Sequence, residues 1–218
     1  MQLATAIDHT LLKPDATVAQ ITTLCQEALD YDFGAICVAN VFLPLVRKLL
    51  RGPDGAARCK VVTVVGFPHG NVATETKVMD TIYCMAQHAT DIDMVINIGA
   101  LKSGRLDAVV GDISEVVVAA EGVPVKVILE TALLTNDEIV TACRLAVAGG
   151  ARYVKTSTGF AGGGATIEHV RLMRATVGVD VGVKASGGVR DTATARAMLA
   201  AGANRIGTSS GIAIVTGK

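Results

Sequence analysis

Two short apolar runs of the sequence carry a lysine that is followed by small hydroxyl residues and glycine. Lys155 lies in RYVKTSTGF, and Lys184 lies in the later VGVKASGGVR. A lysine amine forms a Schiff base with a carbonyl compound only when it is unprotonated, so a catalytic lysine needs an apolar wall or a neighbouring cation that lowers its pKa from ~10.4. The alternative for either residue is a lysine at the rim of the fold that extends its ammonium group into water.

The presence of two such lysines favours the reactive amine. Each is followed within a few residues by a glycine-containing turn, so we expect both at equal heights on consecutive parallel strands. Adjacent strands lie about 4.8 Å apart, and two inward ammonium groups at that separation repel each other strongly. One of the two should therefore lose its proton.

Carboxylates occupy similar positions in the sequence. Asp93 in DIDMVINIG is a candidate for proton transfer, but Asp91 lies on the same face of the strand, and periodicity does not choose between them. Either carboxylate could instead serve as an ion-pair partner of the lysines. Asp8, Lys126 and Glu130 also lie on or beside apolar runs, where an ionised group is costly unless it is paired. We expect these charges to compensate one another.

Two late loops, SGGVRD and GTSSG, have the composition of a phosphate-binding site. Gly187 and Gly188 allow backbone N–H groups to approach an anion, and the helix that begins near Asp191 should direct its positive end toward the same place. Barrel enzymes often bind phosphate after their last two strands. Side chains of the same loops would add hydroxyl donors and charge: Ser209, Ser210 and Arg190. Tight turns that simply need glycine are the alternative explanation.

Metal and thiol chemistry receive less support. No metal and no other cofactor is predicted, because the four histidines are scattered without HxH or HxxxH spacing: His9, His69, His88 and His169. Cys37 in AICVAN either faces the pocket, where it would meet an electrophilic aldehyde, or is a small buried hydrophobe, which is commoner for a free cysteine.

The composition limits the partners and the compartment. The chain has 218 residues with 20 Lys plus Arg, 20 Asp plus Glu and no Trp, so no footprint for nucleic acid is evident. Five cysteines, an odd number without CxxC spacing, indicate thiols in a reducing compartment. The sequence opens without a signal-peptide pattern, and its longest apolar runs are too short to span a membrane. We expect a cytoplasmic protein that binds neither nucleic acid nor membrane.

The elements that must position these residues alternate along the chain. Eight strand-sized runs are apolar on both faces, which is typical of a parallel sheet covered on both sides: TAIDHT, AICVAN, KVVTVVGF, DIDMVINIG, VKVILET, YVKTST, VGVKAS and RIGTSS. Capping boxes at Thr17 and Thr135 open two amphipathic helices. Further helical segments lie at 74–89, 104–120, 166–176 and 191–201, and the connection FLPLVRKLL is the least regular.

This alternation predicts an α/β fold, a (β/α)8 TIM barrel. We expect a single domain over residues 1–218, in which a short N-terminal segment leads into the barrel. An open doubly wound sheet is the second choice, because no GxGxxG follows the first strand. In a barrel the polar residues at the strand ends meet at the C-terminal face, which is where active sites lie.

The sequence resembles the deoxyribose-phosphate aldolases, a family of class I aldolases. The resemblance runs essentially end to end and rests on a series of motifs in order: DHTLLKP, VVGFPHG, DMVINIGALKSG, VKVILET, YVKTSTGF, VKASGGVR and NRIGTSSG. It implies a TIM barrel in which Lys155 is the Schiff-base lysine, Lys184 is the second lysine that perturbs it, and Asp93 donates and accepts protons. It also implies that Asp8 and Lys126 line the polar network.

The resemblance further implies cleavage of 2-deoxy-D-ribose 5-phosphate to D-glyceraldehyde 3-phosphate and acetaldehyde, in deoxyribonucleoside breakdown and without a cofactor. The family's phosphate-binding loops match four residues: Gly187, Gly188, Ser209 and Ser210. With the apolar composition, the family makes a homodimer plausible. The remaining partners would be the small-molecule sugar phosphate and acetaldehyde.

Two departures and two rival functions remain. Some relatives have a longer C-terminal tail ending in tyrosine, whereas this sequence ends in IAIVTGK, so water or the Asp93–Lys184 pair is expected to protonate the enamine. Position 160 is Phe, where some relatives place a lysine near the phosphate.

One rival is a transaldolase-like or other sugar-phosphate aldolase with a different donor carbonyl. The other is a sugar-phosphate-binding barrel without catalysis, which would tolerate loss of either lysine.

Overall fold

Eight parallel strands close into a barrel in the computed structural model, which describes residues 3–52 and 58–218. Each strand pairs with the next one along the chain, and the last strand pairs with the first. The strands are β1 Ile7–Leu11, β2 Ala35–Val38, β3 Lys60–Val65, β4 Asp91–Val95, β5 Val125–Ile128, β6 Tyr153–Lys155, β7 Gly182–Ser186 and β8 Arg205–Thr208. The predicted (β/α)8 barrel is confirmed, and the open doubly wound sheet is wrong.

Helices connect the strands on the outside of the barrel. In the described part of the chain they are α1 Val18–Asp30, α2 Leu43–Leu49, α3 Thr74–Ala86, α4 Ile98–Lys102, α5 Leu106–Ala119, α6 Asn136–Ala148, α7 Ile167–Val177, α8 Thr192–Ala200 and α9 Gly211–Thr216. Both predicted capping boxes are present, at Thr17 before α1 and at Thr135 before α6. A 3-10 turn at Ala4–Ala6 leads into β1.

Several strands are shorter than the apolar runs that predicted them. The run DIDMVINIG forms β4 only as far as Val95, and its last residues begin α4, whose first turn is capped by the side chain of Asn97. Likewise β6 ends at Lys155, and the following residues form a loop. These early strand ends place additional loop residues at the C-terminal face of the barrel, where a ligand can reach them.

The two faces of the strands have different environments. Outward side chains such as Ile36, Val154 and Val183 pack in the main core beneath the helices. The inner faces of β2 and β3 form a separate apolar cluster of small residues: Ala35, Cys37, Val62 and Val64. The buried charged side chains of the interior come from the other strands, and the strand register sets which charges meet. Lys155 is the register partner of Lys184, and Asp93 is the register partner of Lys126.

Candidate active site

Lys155 ends β6 at the floor of a pocket at the C-terminal face of the barrel. Its side chain is only 4% exposed, and its Nζ lies 2.8 Å from a carboxylate oxygen of Asp93. The pocket has a volume of about 330 Å³, and Lys155 is part of its lining. The lysine that sequence reasoning singled out thus has its stem buried among charged side chains and its amine next to the space that a ligand can enter.

Lys184 lies beneath the pocket and is fully buried. Its Nζ is 2.8 Å from the same Asp93 oxygen and 2.5 Å from Asp8. Burial by itself lowers the pKa of Lys184, but the charges of Asp8 and Asp93 raise it above its ordinary value. The two lysines lie at equal heights on adjacent strands, as expected. One carboxylate oxygen of Asp93 lies between the two Nζ atoms, and the raised pKa of Lys184 means that this lysine keeps its proton.

Asp93 is the centre of the buried charges. Burial by itself raises the pKa of this carboxyl, but the charges of Lys155, Lys184 and Lys126 lower it well below its ordinary value. Asp91 lies on the same face of β4, two residues before Asp93 and so further from the C-terminal face of the barrel. Its carboxylate contacts Nζ of Lys126 at 2.7 Å. The structure therefore separates the two carboxylates that periodicity left equivalent, because only Asp93 contacts both Lys155 and Lys184.

Asp8 and Lys126 complete the network from the two sides. Lys126 also lies 3.3 Å from Asp93, and its Nζ is 5.5 Å from the centre of the Tyr153 ring. Asp8 accepts a hydrogen bond from Nε of Arg205 at 2.8 Å. Burial raises the pKa of Asp8, but Lys184 and Arg205 lower it below its ordinary value. Sequence reasoning missed Arg205, although an arginine at the start of the apolar run RIGTSS was a visible signal.

Glu130 does not join this network, contrary to the expectation that the buried charges compensate one another. Its backbone is left-handed, and its carboxylate accepts hydrogen bonds from the backbone N–H and the hydroxyl of Thr158. Glu130 therefore holds the loop after β6 in place. That loop contributes Thr158, Gly159 and Phe160 to the pocket lining.

The predicted phosphate loops form one wall of the pocket. Gly187, Gly188, Arg190 and Ser209 line it. Gly187 has a φ of +83°, and a Cβ there would lie 2.9 Å from the Cα of Gly164, so glycine is required. Ser210 lies outside this lining, in the turn before α9.

The first turn of α8, which follows the loop of Gly187 and Gly188, is capped by its own side chain at Asp191, and the expectation that its positive end attracts the phosphate stays a prediction. The side chain of Asp191 accepts a hydrogen bond from the backbone N–H of Thr194 at 2.8 Å. This hydrogen bond lowers the pKa of Asp191. The N–H group of Thr194 is therefore taken, and the glycine backbone and the side chains of the wall are the other groups that could hold an anion in the pocket.

Sequence reasoning also missed part of the opposite wall. The loop after β1 contributes Lys13 and Leu12 to the pocket, and Thr10 comes from β1 itself. Phe160 is 47% exposed and packs edge to face against Phe67, with ring centres 5.3 Å apart. The pocket thus combines an apolar lip with the cations Lys13 and Arg190, which suits a ligand with an uncharged end and an anionic end.

Comparison with known proteins agrees with this geometry. The family model described as DeoC/LacD family aldolase matches residues 2–217. The chain belongs to this family. A deoxyribose-phosphate aldolase of Brevibacillus brevis is 56% identical over 217 residues, which cover 100% of this chain and 96% of that protein. A deoxyribose-phosphate aldolase of Exiguobacterium sibiricum is also 56% identical over 217 residues, with 100% and 97% coverage.

A solved structure of a family member gives the same barrel. The deoxyribose phosphate aldolase of Aeropyrum pernix, described as a unique tetramer, superposes with a TM-score of 0.89 at 33% identity. The superposition covers 98% of this chain and 89% of that one. The resemblance to the deoxyribose-phosphate aldolases noted from the motifs is therefore confirmed.

Cys37 is not part of the pocket lining. Cys37 is fully buried on the inner face of β2, and burial raises the pKa of its thiol. Among residues 3–52 and 58–218, no group of three or more His, Cys, Asp or Glu side chains is arranged to hold a metal ion. In the same residues, no helix has the length and apolar character needed to cross a membrane.

Proposed function

We propose that the protein reversibly cleaves 2-deoxy-D-ribose 5-phosphate to D-glyceraldehyde 3-phosphate and acetaldehyde through a Schiff base on Lys155. The observation that carries the proposal is the position of this lysine. Lys155 borders the pocket and at the same time contacts the buried charges through Asp93. The names of two family members that are 56% identical to this chain support the choice of substrate.

The balance of charges supports an uncharged amine at Lys155. In the part of the chain that the structure describes, the ion-pair network inside the barrel contains three carboxylates and four cations: Asp8, Asp91 and Asp93, with Lys126, Lys155, Lys184 and Arg205. With all three carboxylates ionised and all three lysines protonated, this group carries one surplus positive charge. Loss of one lysine proton makes it neutral. Lys184 and Lys126 each contact two carboxylates, whereas Lys155 contacts one. Lys155 is therefore the lysine whose proton is held by the fewest partners.

The reaction then follows from these positions. The uncharged Nζ of Lys155 adds to the C1 aldehyde of the open-chain sugar, and loss of water gives an iminium that draws electrons from the neighbouring bond. Asp93, with Lys184 and a water molecule, takes the proton of the C3 hydroxyl. The C2–C3 bond breaks, its electron pair forms the enamine, and D-glyceraldehyde 3-phosphate leaves. Protonation of the enamine at C2 and addition of water release acetaldehyde and restore the amine.

The substrate phosphate binds at the other end of the pocket in this proposal. Gly187 and Gly188 offer backbone N–H groups, Ser209 offers a hydroxyl, and Arg190 and Lys13 supply positive charge. Ser210, in the adjacent turn before α9, stays a predicted hydroxyl donor. The proposed setting is deoxyribose phosphate catabolism in the cytoplasm, with the chain as a single barrel domain that assembles into a homodimer and needs no cofactor.

The test is an activity assay that separates this reaction from its rivals. Acetaldehyde and D-glyceraldehyde 3-phosphate should appear in equal amounts from 2-deoxy-D-ribose 5-phosphate, and ketose phosphates should not be cleaved. Lys155→Arg should abolish the reaction, whereas Lys48→Arg, on the outside of the barrel in α2, should leave it unchanged. Cleavage of a ketose phosphate instead would support the transaldolase-like rival. Binding without turnover of either substrate class would support the non-catalytic barrel.

A further inference from the structure

A chain of alternating charges runs through the barrel from the pocket to the far end. It consists of Lys155, Asp93, Lys184, Asp8 and Arg205, and we call it the charge chain. Its successive contacts are 2.8 Å, 2.8 Å and 2.5 Å, and it ends in the 2.8 Å hydrogen bond from Nε of Arg205 to Asp8. All five side chains come from strands β6, β4, β7, β1 and β8, so the chain depends on barrel closure.

Arg205 lies at the end of the charge chain that is remote from the pocket. It is the first residue of β8, and a Cβ at Gly34, the residue before β2, would lie 3.4 Å from its Nη2. The Arg205 side chain is 14% exposed, whereas Asp8 and Lys184 are fully buried. The pocket lining does not include Arg205. A substrate in the pocket would therefore not touch this guanidinium.

We propose that Arg205 is a positioning residue of the aldolase reaction, because its charge, held on Asp8, creates the positive surplus that leaves Lys155 an uncharged amine. The inference rests on the proposed role of Lys155 as the nucleophile. Without Arg205 the interior contains three carboxylates and three lysines, which balance when every lysine is protonated. Asp8 would then have Lys184 as its one ion-pair partner in the described residues, and the reaction at Lys155 should require a higher pH.

Several other ionisable groups face the charge chain. In the described residues, the ionisable side chains on the inner faces of the strands are Asp8 and Arg205 at the junction of β1 and β8, Cys37 on β2, the exposed Lys60 at the start of β3, Asp91 and Asp93 on β4, Lys126 on β5, Tyr153 and Lys155 on β6, and Lys184 on β7. Cys59, the residue before β3, also interacts with Asp8 and Arg205. The inner face of β3 carries Val62 and Val64. At the pocket end, Lys13 and Arg190 add positive charge. Arg205 lies at the remote end and is paired with Asp8, and Asp91 and Tyr153 also act on it.

The expected effect is a displaced pH profile. Arg205 is two strands away from Lys155, since Lys184 is the register partner of both. Two strand spacings are about 10 Å, and at an effective dielectric constant of about 20 a unit charge at that distance displaces a protonation equilibrium by roughly one pH unit. The acid limb of kcat/KM should therefore move upward by roughly one pH unit in Arg205→Met.

The experiment compares variants that keep or remove this charge. Arg205→Lys keeps the charge and should retain a limb close to that of the parent protein. Asp8→Asn should move the limb to lower pH, and Asp8→Asn with Arg205→Met should move it back up, because the pair of opposite charges is then removed together. The double variant also covers the case in which Arg205→Met alone does not fold. Lys77→Met is the matched control, because it breaks a buried 2.5 Å ion pair with Asp112 outside the barrel interior.

Lys77→Met should lower the free energy of unfolding and leave the limb in place. Two comparisons test the proposal: the parent protein with Arg205→Met, and Asp8→Asn with the double variant. If the loss of Arg205 changes stability in either comparison but does not move the acid limb of kcat/KM, Arg205 has only a structural role and the proposal is wrong. Failure of the proposed function gives a different result. In that case the parent protein itself forms no borohydride-stable adduct at Lys155, whatever the variants do.

Discussion

Replacement of Lys184 by Met should move the acid limb of the kcat/KM profile upward by about two pH units. The Nζ atoms of Lys155 and Lys184 each lie 2.8 Å from the same oxygen of Asp93, so they are separated by no more than twice that distance. At an effective dielectric constant of about 20, two unit charges at this separation repel by about 3 kcal/mol. About 1.4 kcal/mol corresponds to a tenfold change in protonation, so the rate near pH 7 should fall about a hundredfold.

The direction follows from the interior charges. Without Lys184, three carboxylates face three cations, Lys126, Lys155 and Arg205, so the positive surplus is gone and the acid limb of kcat/KM should lie at higher pH. Met keeps the length of the buried stem, which limits the change in packing. Acetaldehyde release from 2-deoxy-D-ribose 5-phosphate between about pH 5 and 10 gives the profile, and Lys102→Met, at a half-exposed ion pair with Glu138, is the control. A folded Lys184→Met protein with the parental limb would refute the coupling of the two lysines.

Three further predictions concern the loop, the carboxylates and the thiols. Gly188→Ala and its control Gly178→Ala both place a Cβ in open space, at a φ of +79° and +71°. Each should therefore lower the free energy of unfolding by about 1–2 kcal/mol. Only Gly188→Ala should also raise KM for the phosphorylated substrate. The pKa values of Asp8 and Asp93 are lowered in the folded protein, so the unfolded chain takes up protons first as the pH falls. The contribution of these two carboxylates to stability is therefore complete above about pH 5 and is lost as the pH falls below about 4. Acid unfolding followed by circular dichroism measures this loss. The buried thiols have raised pKa values, about 12 for Cys84, so an aromatic disulfide reagent at pH 8 should modify none of the five in the folded protein and all five in urea.

Much of the fold could be predicted because each element carries its own local signal. The capping boxes at Thr17 and Thr135 fix two helix starts, and strands that are apolar on both faces indicate a covered parallel sheet. The equal heights of Lys155 and Lys184 also followed from the sequence, because the same turn chemistry follows both strands. The strand ends were less predictable, since the residues after Val95 are apolar enough for a strand but enter α4.

The partners of the charged residues could not be read from the sequence. Periodicity places Asp91 and Asp93 on one face, and only the neighbouring strands decide that Asp93 meets Lys155 while Asp91 meets Lys126. Glu130 is buried like the others but turns to the loop after β6, because its left-handed backbone directs it there. Arg205 contacts Asp8 across almost the entire length of the chain, a pairing that exists only once the barrel has closed.

The central claim is that the amine of Lys155 carries the substrate carbon. Incubation of the parent protein with acetaldehyde and sodium borohydride, followed by proteolysis and mass spectrometry, tests it directly. An ethyl group should be found on the peptide that contains Lys155, and Lys155→Arg should show none at that position, while Lys184 stays unmodified because it is fully buried and protonated. Adduct on Lys184 or on other lysines, with Lys155 unmodified, would contradict the account.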